Sequence, residues 1–186
     1  SQFNHFKVIH RLLNDHRVNP SVNRDTIFKN AIVDNQISLV KRLLKDQRVY
    51  PNTKFNYPIK KASKNGHTEI VKLLLNDPRV NPATGHNYAI RFASKNGHYK
   101  VVELLLNDSR VNPSTKNNEA IKQAFQQALT YPEKYTKIVK LLSEQCKTFK
   151  FSKFSGIFVK LLLEQCNIIK FSKFFGRFIK LLYLQN

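Results

Sequence analysis

Residues 62–75 read Ala62-Ser63-Lys64-Asn65-Gly66-His67-Thr68-Glu69-Ile70-Val71-Lys72-Leu73-Leu74-Leu75. Thirty-one residues on, 93–106 read Ala93-Ser94-Lys95-Asn96-Gly97-His98-Tyr99-Lys100-Val101-Val102-Glu103-Leu104-Leu105-Leu106. The same 31-residue step runs outward from this pair. Arg17-Val18-Asn19-Pro20 returns as Arg48-Val49-Tyr50-Pro51, Arg79-Val80-Asn81-Pro82 and Arg110-Val111-Asn112-Pro113. Between these marks Phe28, Ile59, Ile90 and Ile121 stay in register, as do Ala31, Ala62, Ala93 and Ala124. Leu39, Ile70 and Val101 form another ladder, followed by Leu43, Leu74 and Leu105 and by Leu44, Leu75 and Leu106. A fixed period with apolar ladders is the signature of a repeat architecture.

Each unit reads as two short helices. Ile90 and Ala93 lie three apart, on one helical face, and Ala permits close approach of a neighbouring helix. Asn56, Asn87 and Asn118 stand where the first helix begins, and an Asn side chain there is expected to cap its free N–H groups. Gly66 and Gly97 suit the left-handed position that ends it. Ile70, Val71, Leu74 and Leu75 give the second helix its buried face. Asp77, Pro78 and the Arg-Val-Asn-Pro run then turn the chain toward the next unit. One such unit cannot bury its own apolar face, whereas stacked neighbours can. The expected class is all-α, a helical-repeat solenoid with short connectors.

The Ala, Gly-His and Ile-Val-x-Leu-Leu-Leu spacing, recurring in phase, resembles the core of an ankyrin repeat, and Val80-Asn81 and Val111-Asn112 match the usual Val-Asn after the second helix. The resemblance covers about residues 4–146. Its Asp-x-Arg-Val-Asn-Pro connectors resemble divergent ankyrin arrays of giant viruses and their amoebal hosts. Two departures stand out. The period is 31 rather than about 33, and Asn56-Tyr57-Pro58-Ile59 replaces the usual Thr-Pro-Leu-His opening, so a shortened connector finger is expected. Residues 1–20 match a second helix alone, 21–51, 52–82 and 83–113 are full units, and 114–146 is a unit stretched by six residues between its helices, around Gln126 to Pro132.

From residue 140 the period becomes 20. Lys140-Leu141-Leu142-Ser143-Glu144-Gln145-Cys146 returns as Lys160-Leu161-Leu162-Leu163-Glu164-Gln165-Cys166. Residues 147–186 read as a helical C-terminal extension, basic and aromatic, holding eight of the fourteen Phe. Three readings of it stand open: a cap on the last unit, an amphipathic helix on an anionic membrane or partner, and a Lys/Phe surface for single-stranded nucleic acid.

Thirty-two basic against twelve acidic residues leave a net charge of +20, of which +7 falls within 147–186. Such a field draws polyanions. A Lys- and Asn-rich sequence also produces it as a merely solvated surface. No apolar run approaches the roughly 18 residues of a membrane span, and no secretory signal opens the chain. Ser1 as first residue and the lack of any Met read as a processed or truncated product. Two cysteines, Cys146 and Cys166, are too few for a disulfide framework, so an intracellular setting is expected, cytoplasmic or in a host cytoplasm.

Catalytic motifs are missing. There is no phosphate-cradling Gly loop, zinc spacing or His-Glu-x-x-His, and no cofactor or metal is expected. His67 and His98 follow the helix-breaking Gly, where a structural role fits, and Asp46, Asp77 and Asp108 recur as helix-end residues. An active site is needed once, so a candidate acid in every unit argues for structure. The expectation is a non-enzymatic scaffold with no small-molecule substrate. By resemblance, it binds a partner protein on the concave face of first helices and connectors. That face should present Lys54, Tyr57, Lys60, Lys61, His86, Tyr88, Arg91, Phe92, Lys95, Lys116, Glu119 and Lys122. It is basic and aromatic, so an acidic partner surface is its complement. The alternative is binding of nucleic acid or an anionic membrane through the extension.

Overall fold

The structure, a computed structural model, describes residues 22–128 and 130–145, with Val8, Arg11, Asp15 and Arg17 upstream. Apart from those four positions, the half unit expected at 1–20 lies outside the described residues, as does the extension at 147–186. Among the described residues there are eight helices and no strand. They run α1 Val22–Val33, α2 Ile37–Leu44, α3 Thr53–Asn65, α4 Thr68–Leu75, α5 Thr84–Asn96, α6 Tyr99–Leu106, α7 Thr115–Ala128 and α8 Pro132–Gln145. Odd-numbered helices are the first of each unit and even-numbered the second. First helices pack against one another more extensively than second helices do.

All but one of the apolar sequence ladders are buried; Leu44, Leu75 and Leu106 are half-buried, so Leu75 does not share the buried face expected of it. Phe28, Ile59, Ile90 and Ile121, with Ala31, Ala62, Ala93 and Ala124, are all buried on the first helices. Leu39, Ile70, Val101 and Ile138 are buried on the second helices, with Leu43, Leu74, Leu105 and Leu142. Burying one large apolar side chain stabilises by about 1.5–3 kcal/mol. The Ala positions set how near adjacent first helices come.

First helices end as their Gly residues demand. Gly66 and Gly97 sit at φ 79° and 77°. The next N–H closes back five residues, from His67 to Ala62 O at 3.0 Å and from His98 to Ala93 O at 3.0 Å, which is the Schellman closure. Asn35 does the same at the equivalent position of the preceding unit, at φ 54°. Asn tolerates the left-handed region better than other side chains do.

First-helix starts differ from expectation. Gly85, His86 and Asn87 form a left-handed turn at φ 55–65°, and Lys116, Asn117 and Asn118 repeat it at φ 50–61°. Phe55 and Asn56 share the conformation. Regular helix therefore begins only after this turn, which puts Pro58 in a first turn, where its missing N–H costs nothing. Asn56 and Asn87 do not cap their own helices. The N-cap geometry needs a β-region residue, and a positive φ turns the side chain elsewhere. Asn56 Oδ1 accepts from Asn81 N–H of the next connector at 2.8 Å, and Asn87 Oδ1 from Asn112 N–H at 2.9 Å. Both bonds tie one unit to the next.

The six extra residues of the last unit are taken up mainly by its second helix. α8 has 14 residues, against eight in α2, α4 and α6. It starts at Pro132, ahead of Tyr135, which stands in register with His67 and His98.

Candidate interaction surface

The repeated polar residues of the connectors hold the stack together. Asp77 receives Arg79 in a bidentate pair, at 2.9 Å from Nε and 2.6 Å from Nη2. The same guanidinium reaches into the preceding unit, donating to Val49 O at 3.0 Å and to Leu44 O at 2.9 Å. Leu44 is the last residue of α2, so a cation meets the negative end of a helix dipole. Arg110 repeats the arrangement with Asp108, Val80 O and Leu75 O. The Arg hydrogen bonds hold the carboxyls of Asp46, Asp77 and Asp108 below the usual carboxylate range.

Histidines do the corresponding work on the first helices. His98 Nε2 lies 2.9 Å from Lys64 O near the end of α3, and His67 Nε2 lies 3.3 Å from Val33 O at the end of α1. A carbonyl accepts, so the His98 ring carries a proton on Nε2, whereas His67 Nε2 also lies 3.4 Å from the donor Asn65 Nδ2. In the last unit Tyr135 takes over, its hydroxyl donating to Lys95 O at 2.8 Å. Burial is the main cause that lowers the His98 pKa, with Lys134 and His67 adding to it against the Lys64 carbonyl bond. Gly66 lies directly under the His98 ring, and a methyl group there would overlap it. These residues are spoken for by structure.

With the staples assigned, a cluster remains on two of the first helices, α3 and α5. Tyr88 and Phe92, four apart on α5, stack with centroids 3.9 Å apart and planes 15° from parallel. Lys60 stands 5.7 Å from the Tyr88 centroid and Lys64 5.8 Å from that of Phe92, both from α3. Arg91 lies 5.9 and 5.8 Å from the two rings, and Lys95 6.0 Å from Phe92. Arg91 also donates to Gly85 O and His86 O, bracing the left-handed turn. The segments of α3 and α5 contain no acidic residue.

The structure thus brings together Lys60, Tyr88, Arg91, Phe92 and Lys95. Tyr57 and Lys61 are half-buried on α3, and His86 is exposed in the turn beside this cluster. Lys54 lies in the first turn of α3, with its side chain outside the described residues. Lys116, Glu119 and Lys122 belong to α7, where Glu119 accepts from Gln123 at 2.7 Å. Glu119 and Gln123 occupy the register of Tyr88 and Phe92, so the aromatic pair is confined to α5. Sequence reasoning missed Lys64, although it stands one period before Lys95. Its omission followed from treating each unit separately, whereas Lys64 reaches a ring on the next one.

Among the described residues no group of His, Cys, Asp and Glu could hold a metal ion. No helix among them is long and apolar enough to cross a membrane. A family model described as ankyrin repeats (3 copies) matches residues 28–117 and again 59–153. No curated protein and no solved structure matches the chain.

Proposed function

Given that the chain belongs to the ankyrin-repeat family, we propose that it is a non-enzymatic scaffold binding a partner protein on the concave face of its array. Members of this family are generally protein-interaction modules, and their fold does not name the ligand. The observation that carries the proposal is the cluster on α3 and α5. It has two stacked rings, four cations within 6.0 Å of them, and no carboxylate on either helix. Lys64 and Lys95 are exposed and the two rings are half-buried, and aromatic and Arg side chains at a surface are enriched where proteins bind each other. The partner surface that complements them is acidic.

A non-catalytic role is supported by how the candidate acids are used. Asp46, Asp77 and Asp108 are each paired with an Arg, and two of those Arg residues clamp the preceding unit. We infer an intracellular setting from the two cysteines of the chain.

The test is a pull-down from lysate at physiological salt, with and without nuclease, using the full chain and a Lys60→Glu/Lys61→Glu/Lys95→Glu variant. Arg91 is kept because its guanidinium also braces the 85–87 turn. A discrete protein retained after nuclease and released by the variant supports the scaffold. Material that disappears with nuclease, or is held equally by the variant, overturns it.

A further inference from the structure

We infer that the α3–α5 cluster binds an extended acidic peptide segment whose carboxylates fall on alternate residues. This rests on the scaffold reading and specifies its partner. Lys60 and Lys64 stand four apart on α3, and Arg91 and Lys95 four apart on α5. Four helical residues rise about 6 Å. Alternate residues of an extended chain are about 6.6 Å apart, so carboxylates on one edge of such a peptide match the cation step on each helix. Cations of both rows stand within 6.0 Å of the Tyr88–Phe92 ring centroids, and the rings are half-buried. Ring edges carry the positive end of the aromatic quadrupole, so rings and cations attract the same ligand.

The stack argues against a nucleic acid on this surface. Base binding needs an open ring face. Here the two inner faces cover each other at 3.9 Å, and cations stand over these two rings at 5.7–6.0 Å. Glu119 and Gln123 replace the aromatic pair on α7 and are hydrogen-bonded to each other. The negative charge at Glu119 bounds the acidic site on that side and limits it to the two units 52–82 and 83–113.

The experiment titrates the full chain by fluorescence anisotropy with two short labelled peptides of equal composition. One alternates Glu and Ser, and the other carries its Glu in one block. The same titrations are run on Lys60→Gln/Lys64→Gln. Binding of a given peptide to the rest of a chain of net charge +20 is common to parent and variant and largely cancels between those two arms. The alternating peptide is expected to bind more tightly than the block, and the double variant to weaken it about tenfold. Equal affinity of both peptides, unchanged in the variant, overturns the inference. A single-stranded oligonucleotide that displaces the alternating peptide and itself depends on Lys60 and Lys64 overturns it as well, in favour of nucleic acid. If the peptides fail while Lys60→Glu/Lys61→Glu/Lys95→Glu still releases a captured protein, the scaffold stands and this inference alone falls.

Discussion

Replacing Arg79 by Ala removes the clamp between units 21–51 and 52–82. Two charge-assisted bonds to Val49 O and Leu44 O disappear, and Asp77, whose side chain is 9% exposed, loses its ion partner. Hydrogen bonds to a charged group contribute about 1.5–3 kcal/mol. The Arg79 side chain is 34% exposed, so solvent screening brings each carbonyl bond nearer to about 1 kcal/mol. Stranding a nearly buried carboxylate adds about 1 kcal/mol more, for a total of about 3 kcal/mol. Arg17 is the built-in control, since it makes the same Asp-x-Arg pair with Asp15 but is 79% exposed. Arg17→Ala should leave stability nearly unchanged, because solvent screens an exposed pair. In thermal unfolding followed by circular dichroism, Arg79→Ala should melt about 6–12 °C below the parent chain. The Asp77 carboxyl has a lowered pKa in the folded chain. Its contribution is therefore present above the unfolded value near 3.8 and is lost as pH falls through the folded one. That acid-side loss should be smaller in Arg79→Ala, where the main cause of the depression is gone. Equal melting of Arg79→Ala and Arg17→Ala would refute the reasoning.

Three further outcomes are expected. Gly66→Ala should destabilise by about 2–4 kcal/mol in urea unfolding, because φ is +79° and the new methyl meets the His98 ring; Gly85→Ala, whose methyl meets the flexible tip of Lys60 and, at 3.5 Å, Tyr88 Cβ, should cost less. Asn87→Gly should cost about 1 kcal/mol through loss of the bond to Asn112 N–H, whereas Asn118→Gly should be neutral or stabilising, since the buried Asn118 Oδ1 has no hydrogen-bond partner among the described residues; equal costs in both would sink the assignment of Asn as an inter-unit tie. His98 has a lowered pKa through burial, so its contribution is present above the unfolded value near 6.5 and lost as pH falls through the folded value. His98→Gln should accordingly flatten the stability profile as pH falls below about 6.5, and an unchanged profile would exclude this histidine as its source.

Much of the fold was legible because it depends on local rules repeated in phase. The Ile and Ala ladders and that of Leu43, Leu74 and Leu105 are core positions, and Gly66 and Gly97 end helices where their backbone freedom is needed. The site was legible in part. Lys60, Tyr88, Arg91, Phe92 and Lys95 come together as the face of first helices implied, but Lys64 was passed over. The insertion near residues 126–132 was visible as a break in period, although not as a longer α8.

What the sequence by itself determined is therefore the unit: its length, its two helices, its apolar faces and its stops. These follow from side-chain periodicity and backbone preference within a few residues of chain. Tertiary structure alone decided how units grip one another. Asn87 looks like a helix cap until its positive φ turns it toward Asn112, and Asp77 looks like a helix end until Arg79 is seen on Leu44 O. Tyr135 shows no resemblance to His98, yet both donate to the end of the preceding first helix. A hydrogen bond needs a donor within about 3 Å of an acceptor, and partners 25–40 residues apart reach that distance only once the neighbouring unit has stacked.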